Sequence, residues 1–141
     1  MTPTVTKQEL EQLLLETPFA KIYGFKIHEI GEGLCTVQVP FQDIFERPDK
    51  ILSGPVFMAA ADVAMWLAIM TQLGRTPGLV TVEMKTAFLH AARQEDFFCT
   101  AKILKLGRRL VYGVAECLNK DGKLLTHHTL TYIRPDSGSY F

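Results

Sequence analysis

A net charge of either sign is missing from this sequence: fifteen Lys and Arg balance fifteen Asp and Glu over 141 residues. No sequence-wide positive field is available to recruit nucleic acid or an anionic membrane surface. Cysteine is scarce as well. Cys35, Cys99 and Cys117 lie far apart with no C-x-x-C pair. That argues against a disulfide framework and against a cysteine-based zinc site, and fits three small core residues in a reducing cytosol. There is no H-E-x-x-H, Walker or Rossmann pattern, so no metal or cofactor is expected. Internal repeats, linkers and low-complexity tracts are absent too. Met1 to Glu16 has no basic start followed by an apolar run, so no signal peptide is expected and the cytoplasm is the expected compartment.

What is present is apolar. Residues of the AVILMFWYC set make up 48% of the chain and charged residues 21%, which excludes intrinsic disorder. The length suits a single domain with its own core, here 1–141 with an N-terminal helix inside 1–18 and a short tail at 136–141. The most apolar stretch, Pro55–Leu73, is long enough to raise the question of a membrane span. Asp62 sits near its middle, where a charge costs ~3 kcal/mol in a bilayer. The stretch therefore reads as a buried helix.

Local patterns supply the element order. Thr6-Lys7-Gln8-Glu9 has capping-box spacing, and Leu10, Leu13 and Leu14 follow at helical intervals up to Thr17-Pro18. Phe25–Ile30 reads as a strand. Cys35, Val37, Val39 and Phe41 alternate with Thr36 and Gln38 as a second, and 43–50 is a polar connection. Ser53-Gly54-Pro55 starts the long helix and Gly74 stops it. Four strand-like segments follow. In the first, Val80, Val82, Met84, Thr86 and Phe88 alternate with Thr81, Glu83, Lys85 and Ala87. The others centre on 97–103, 109–118 and 123–133, the last two joined by an Asn119–Gly122 turn. A long helix followed by an antiparallel meander predicts an α+β domain whose sheet wraps the helix. Mixed strand faces predict a further surface covered by a partner subunit.

This order, with Ser53-Gly54-Pro55 and Ala61-Asp62-Val63-Ala64, resembles the hotdog-fold acyl-CoA thioesterases, and within them the phenylacetic-acid-degradation branch. The family opens its central helix with His-Gly-Gly and carries an acid in an Ala-Asp-x-Ala setting. The interval of eight from Gly54 to Asp62 matches the family spacing. Val82 to Leu89 resembles its strand ending in Phe-Leu-Arg-Pro, and Asp121-Gly122-Lys123 and Tyr132 also fit. The chain departs from the pattern at Ser53 (family His), at Pro55 (family Gly) and at Trp66, where some members carry a hydroxyl. The resemblance implies a hotdog fold assembling as a homodimer or a dimer of dimers, acyl-CoA as substrate and active sites at the dimer interface.

Thioester hydrolysis requires an activated water or a direct nucleophile, and a donor for the developing oxyanion. Asp62, the carboxylate inside the apolar helix, is the candidate base or nucleophile; a buried Asp tied to backbone or a hydroxyl is the structural alternative. Gly54 is the candidate oxyanion donor, since a helix start presents free N–H groups, with a plain helix boundary as the alternative that the residues alone favour. Eight residues of helix span about 12 Å, too far for both to reach one carbonyl from the same chain. Acid and donor are therefore expected from different subunits. Lys105, Arg108 and Arg109 are candidates for the coenzyme phosphates, with a solvated basic turn as the alternative. Ser53 and His90 are candidate substrate contacts, with a plain strand-end histidine as the favoured alternative for His90; Trp66 is first of all a core residue and, one turn from Asp62, a candidate to narrow the acyl pocket. His127 and His128 point to opposite faces of a strand and cannot share a metal. Two other readings stand beside hydrolysis. One is a non-catalytic acyl-CoA-binding dimer, favoured by Ser53 and Pro55. The other is a hotdog-type dehydratase, disfavoured because no His lies in or beside the long helix.

Overall fold

The computed structural model describes residues 3–135; the tail expected at 136–141 lies outside them. Helix α1 (Lys7–Leu15) begins as its sequence dictates. Thr6 Oγ1 accepts the Glu9 N–H at 3.1 Å, and Glu9 Oε1 accepts the Thr6 N–H at 3.0 Å. Leu10, Leu13 and Leu14 are buried. The chain does not become irregular at Pro18. A short helix α2 (Pro18–Tyr23) starts there, because the first turn of a helix needs no N–H from proline, and Gly24 closes it at φ +70°.

Strands β1 (Lys26–Gly31) and β2 (Leu34–Val39) form a hairpin turned by Gly33 at φ +70°. The polar connection has more order than its composition suggests. One 3-10 turn (Asp43–Phe45) leads into a small ribbon of β3 (Glu46–Arg47) and β4 (Ile51–Leu52), and a second (Pro48–Lys50) joins its two strands. Helix α3 (Gly54–Leu73) follows, then β5 (Val80–Phe88), β6 (Phe97–Leu106), β7 (Leu110–Asn119) and β8 (Leu124–Ile133).

The six long strands make one antiparallel sheet in the order β1-β2-β6-β7-β8-β5. This corrects the expected four-strand meander: β6, β7 and β8 are sequential neighbours, but β5 pairs with β8 at the far edge. Periodicity records which residues are buried and not which strand lies alongside. The segment 89–96 can reach ~26 Å extended, against the ~14 Å across three strand spacings, so the crossing is free of strain.

Helix α3 lies against the inner face of the sheet. Ala60, Ala61, Ala64, Leu67, Ala68 and Ile69 are all fully buried. The row of alanines lets the strands approach closely, and the near-uniform apolarity is what a helix covered on most sides requires. It is the one described helix long and apolar enough to cross a bilayer, and it is the buried centre of this fold. The three cysteines are free and buried, as expected.

Candidate active site

Two separate cavities flank α3, and the two principal candidate residues fall one in each. The first, of about 210 Å³, is lined by Asp62, Thr81, Tyr132, Trp66, Phe19 and Leu79, among others. Asp62 is half-buried. Its Oδ1 accepts hydrogen bonds from Thr81 Oγ1 at 2.6 Å and from the Tyr132 hydroxyl at 2.6 Å. Tyr132 is 3% exposed. Burial, and then the neighbouring Asp62 charge, hold its phenol well above the ordinary value of 10, so it stays a protonated donor. Trp66 donates its indole N–H to the Pro77 carbonyl at 3.2 Å, which fixes the ring as one wall of the cavity.

Thr81 reaches Asp62 through an irregularity in the sheet. Thr81 pairs with Tyr132, but the next pair is Glu83 with Thr131, so Val82 is an extra residue pushed out of the ladder. Thr81 thus shares the inner side with Met84, Thr86 and Phe88, while Val82 is 56% exposed. Strict alternation predicts the reverse, with Val82 grouped with Met84 and Thr81 opposite.

The second cavity, of about 380 Å³, opens at the start of α3 and is lined by Gly54, Arg47, Phe57, Phe88, His90 and Thr126, among others. A Cβ on Gly54 would lie 3.1 Å from the Phe88 ring, a tight approach that a larger side chain would meet by displacing the ring. Behind Thr126 runs a buried polar chain. Thr126 Oγ1 is 2.7 Å from His128 Nε2, and His128 Nδ1 is 2.8 Å from Thr86 Oγ1. His90 Nδ1 lies 2.9 Å from the Leu124 carbonyl, at the rim.

The structure brings His90 beside Gly54 and Trp66 beside Asp62. It does not bring Gly54 and Asp62 together within one chain: the two cavities share no lining residue. Ser53 caps α3 without a side-chain hydrogen bond and lies outside the lining of the Gly54 cavity. Lys105, Arg108 and Arg109 line a third depression at the β6–β7 hairpin, with Leu110, Tyr112 and Thr131. That depression is also distinct from the other two. His127 pairs with Glu116 at 2.9 Å, on the face opposite His128. Among the described residues no group of three His, Cys, Asp or Glu could hold a metal.

Several lining residues have no place in the sequence-derived site. Thr81 is hidden by the bulge, and Phe19 belongs to helix α2, which Pro18 excludes only if it is read as a breaker. Arg47 lies in the small ribbon. Tyr132 does carry a signal: it falls on the same face of β8 as Thr126, His128 and Leu130, the buried face of that strand.

Comparison with known proteins agrees with this architecture. The sequence model of the thioesterase superfamily matches residues 49–126, more than half of the chain. A protein of Saccharolobus solfataricus named as a candidate esterase is 29% identical over 104 residues, covering 74% of each chain. A thioesterase from Haemophilus influenzae superposes with a TM-score of 0.87 at 22% identity, covering 99% of both chains. Zebra fish thioesterase superfamily member 2 gives 0.84 at 24%, covering 94% of this chain and 100% of that one. A point mutant of a phenylacetic acid degradation protein from Thermus thermophilus gives 0.76 at 22%, covering 84% and 100%. These similarities establish the hotdog fold.

Proposed function

The chain belongs to the thioesterase superfamily, a membership that supports thioester hydrolysis in general, and from it we propose that this protein is an acyl-CoA thioesterase working as a homodimer or a dimer of dimers. The observation that carries the reading is the Asp62 cavity: a carboxylate in the apolar central helix, bonded to two hydroxyls and facing a small aromatic-walled space. In the proposed reaction the thioester oxygen lies against the Gly54 N–H of one subunit, where the free N–H groups of the helix start oppose the negative charge that develops there. Asp62 of the partner subunit then acts in one of two ways. As a base it takes a proton from water as the water oxygen attacks the carbonyl carbon. As a nucleophile it attacks that carbon itself, and water afterwards cleaves the resulting anhydride. In both routes the C–S bond breaks, the thiolate takes up a proton, and the products are a free acid and coenzyme A.

A shared site is supported by the separation of the two cavities and by the open edge of β5. That edge pairs with no strand on its outer side among the described residues, and it carries Val82 and Phe88, each more than half exposed. Lys105, Arg108 and Arg109 are exposed and suited to the coenzyme phosphates. His90 suits the pantetheine path and Ser53, next to Gly54 in sequence, remains a candidate substrate contact, while Trp66 and Phe19 favour a short or compact acyl group. The buried free thiols suit a cytoplasmic location.

The test is thiol release from a panel of acyl-CoAs, acetyl to palmitoyl with phenylacetyl and benzoyl, run beside Asp62→Asn. Wild type should release thiol from the compact esters, and Asp62→Asn should lower the rate at least about a hundredfold while the dimer persists. Equal turnover by the variant would remove Asp62 from the mechanism. One feature favours a second reading, a non-catalytic acyl-CoA-binding dimer: Pro55 has no N–H beside Gly54 to share the oxyanion. Saturable binding without release across the panel would select it.

A further inference from the structure

Both hydrogen bonds to the Asp62 carboxylate fall on one oxygen. Oδ1 accepts from Thr81 and from Tyr132, and among the described residues Oδ2 takes none. The Tyr132 hydroxyl also lies 2.7 Å from the backbone carbonyl of Asp62. One phenol therefore touches the residue at two points, its main chain and the tip of its side chain. The phenol has one proton to share between these two acceptors; together with the Thr81 hydroxyl it puts two donors on Oδ1, which selects a rotamer that a half-exposed Asp would otherwise sample freely. The phenol itself cannot wander. Tyr132 sits inside β8, paired with Thr81 on one side and with Val111 of β7 on the other, and is buried.

We propose that Tyr132 is a positioning residue for Asp62: it fixes the carboxylate rotamer through Oδ1, so that Oδ2 is the oxygen presented to the reacting thioester or water. This rests on the reading of Asp62 as base or nucleophile. The physical requirement is the usual one for such a group, since an ångström of misplacement is enough to cost a large factor in rate. The hydroxyl is suited to the task because it stays protonated beside a negative charge. Burial and the Asp62 carboxylate both resist its ionisation, whereas a buried lysine in the same place would compete for the role of base.

The experiment is a double-mutant cycle with Tyr132→Phe and Asp62→Asn, read as kcat for thiol release on the best ester of the panel. Losing one hydrogen bond to a charged group should lower kcat about 10- to 100-fold in the single Tyr132→Phe variant. In the Asp62→Asn background the same substitution should change kcat less than about twofold, because no carboxylate remains to be positioned. Equal losses in both backgrounds would mean that Tyr132 only supports the fold, and an unchanged single variant would also overturn the proposal. If instead Asp62→Asn alone leaves kcat intact, the mechanism fails first and the positioning role falls with it. Should Tyr132→Phe not fold, 3-fluorotyrosine at position 132 keeps the ring and hydroxyl but alters the donor strength. It should then shift kcat at least about twofold with Asp62 present and leave it constant in the Asp62→Asn background; constancy in both overturns the proposal.

Discussion

Thr81 and Asp62 meet because one residue, Val82, is squeezed out of the β5–β8 ladder. A bulge of this kind re-aims a side chain without altering composition, which is why a period-two reading of Val80–Phe88 places Thr81 on the wrong face. Gly54 and Asp62, by contrast, stand out by type and place, a glycine at a helix start and an acid in an apolar helix, but the roles proposed for them come from the family resemblance and not from spacing alone. Cys35 offers a test at the same scale. Burial pushes its thiol from the ordinary 9.0 up to about 12. The folded chain therefore holds a proton that the unfolded chain releases above pH 9. The stability associated with this thiol is complete below pH 9 and falls as pH rises toward 12, by ~1.4 kcal/mol per pH unit. Urea denaturation of wild type and Cys35→Ala at several pH values should give parallel stabilities up to pH 9. Above it the wild type should lose ground to the variant, and parallel curves up to pH 10.5 would refute the buried, protonated thiol. Cys99 is raised as well, first by its hydrogen bond with Cys117 and then by burial, with a smaller contribution from Cys35 itself, so the difference between wild type and Cys35→Ala reports chiefly on Cys35.

The helix α3 and the strands it packs on are held together by close approach. Gly113 on β7 shows how close: a Cβ there would lie 2.5 Å from Met65 Cε on the helix and 2.6 Å from the Lys102 carbonyl on β6. The backbone carbonyl cannot move aside as a side-chain tip can. Gly113→Ala should therefore destabilise the fold by about 1–3 kcal/mol or more, seen as a lower denaturation midpoint with an unchanged slope. A midpoint equal to wild type would mean that helix and sheet have slack between them. At this scale the sequence is informative about existence and less so about boundaries. Capping chemistry marks α1, and Ala, Met and Leu between Gly54 and Gly74 mark α3. Pro18, though, serves equally well to end α1 and to begin α2, and only packing of Ala20 into the core decides that it does both.

At the scale of the whole molecule the separation of the Gly54 and Asp62 cavities has a direct consequence. If each active site draws its donor from one subunit and its acid from the other, two inactive variants can complement each other. Asp62→Asn contributes an intact Gly54, and Gly54→Leu, which keeps the N–H but drives a branched side chain into the space beside the Phe88 ring, contributes an intact Asp62. Random re-association of an equal mixture should restore about a quarter of wild-type thiol release, because half the dimers are mixed and each holds one complete site. Each variant alone should stay near its own low level. A mixture no more active than the mean of its parts would place donor and acid in the same chain.

The sequence by itself determined the long elements and their order and the burial of the central helix, and its resemblance to a known family singled out Gly54 and Asp62. The elements are legible because periodicity, caps and breakers act over a few residues and are written where they act. Tertiary structure alone decided that β5 crosses to the edge beside β8, that Val82 bulges, and that Thr81 and Tyr132 converge on one oxygen of Asp62. Those outcomes depend on which strand lies alongside which, a choice made by packing across the sheet between residues up to 70 positions apart.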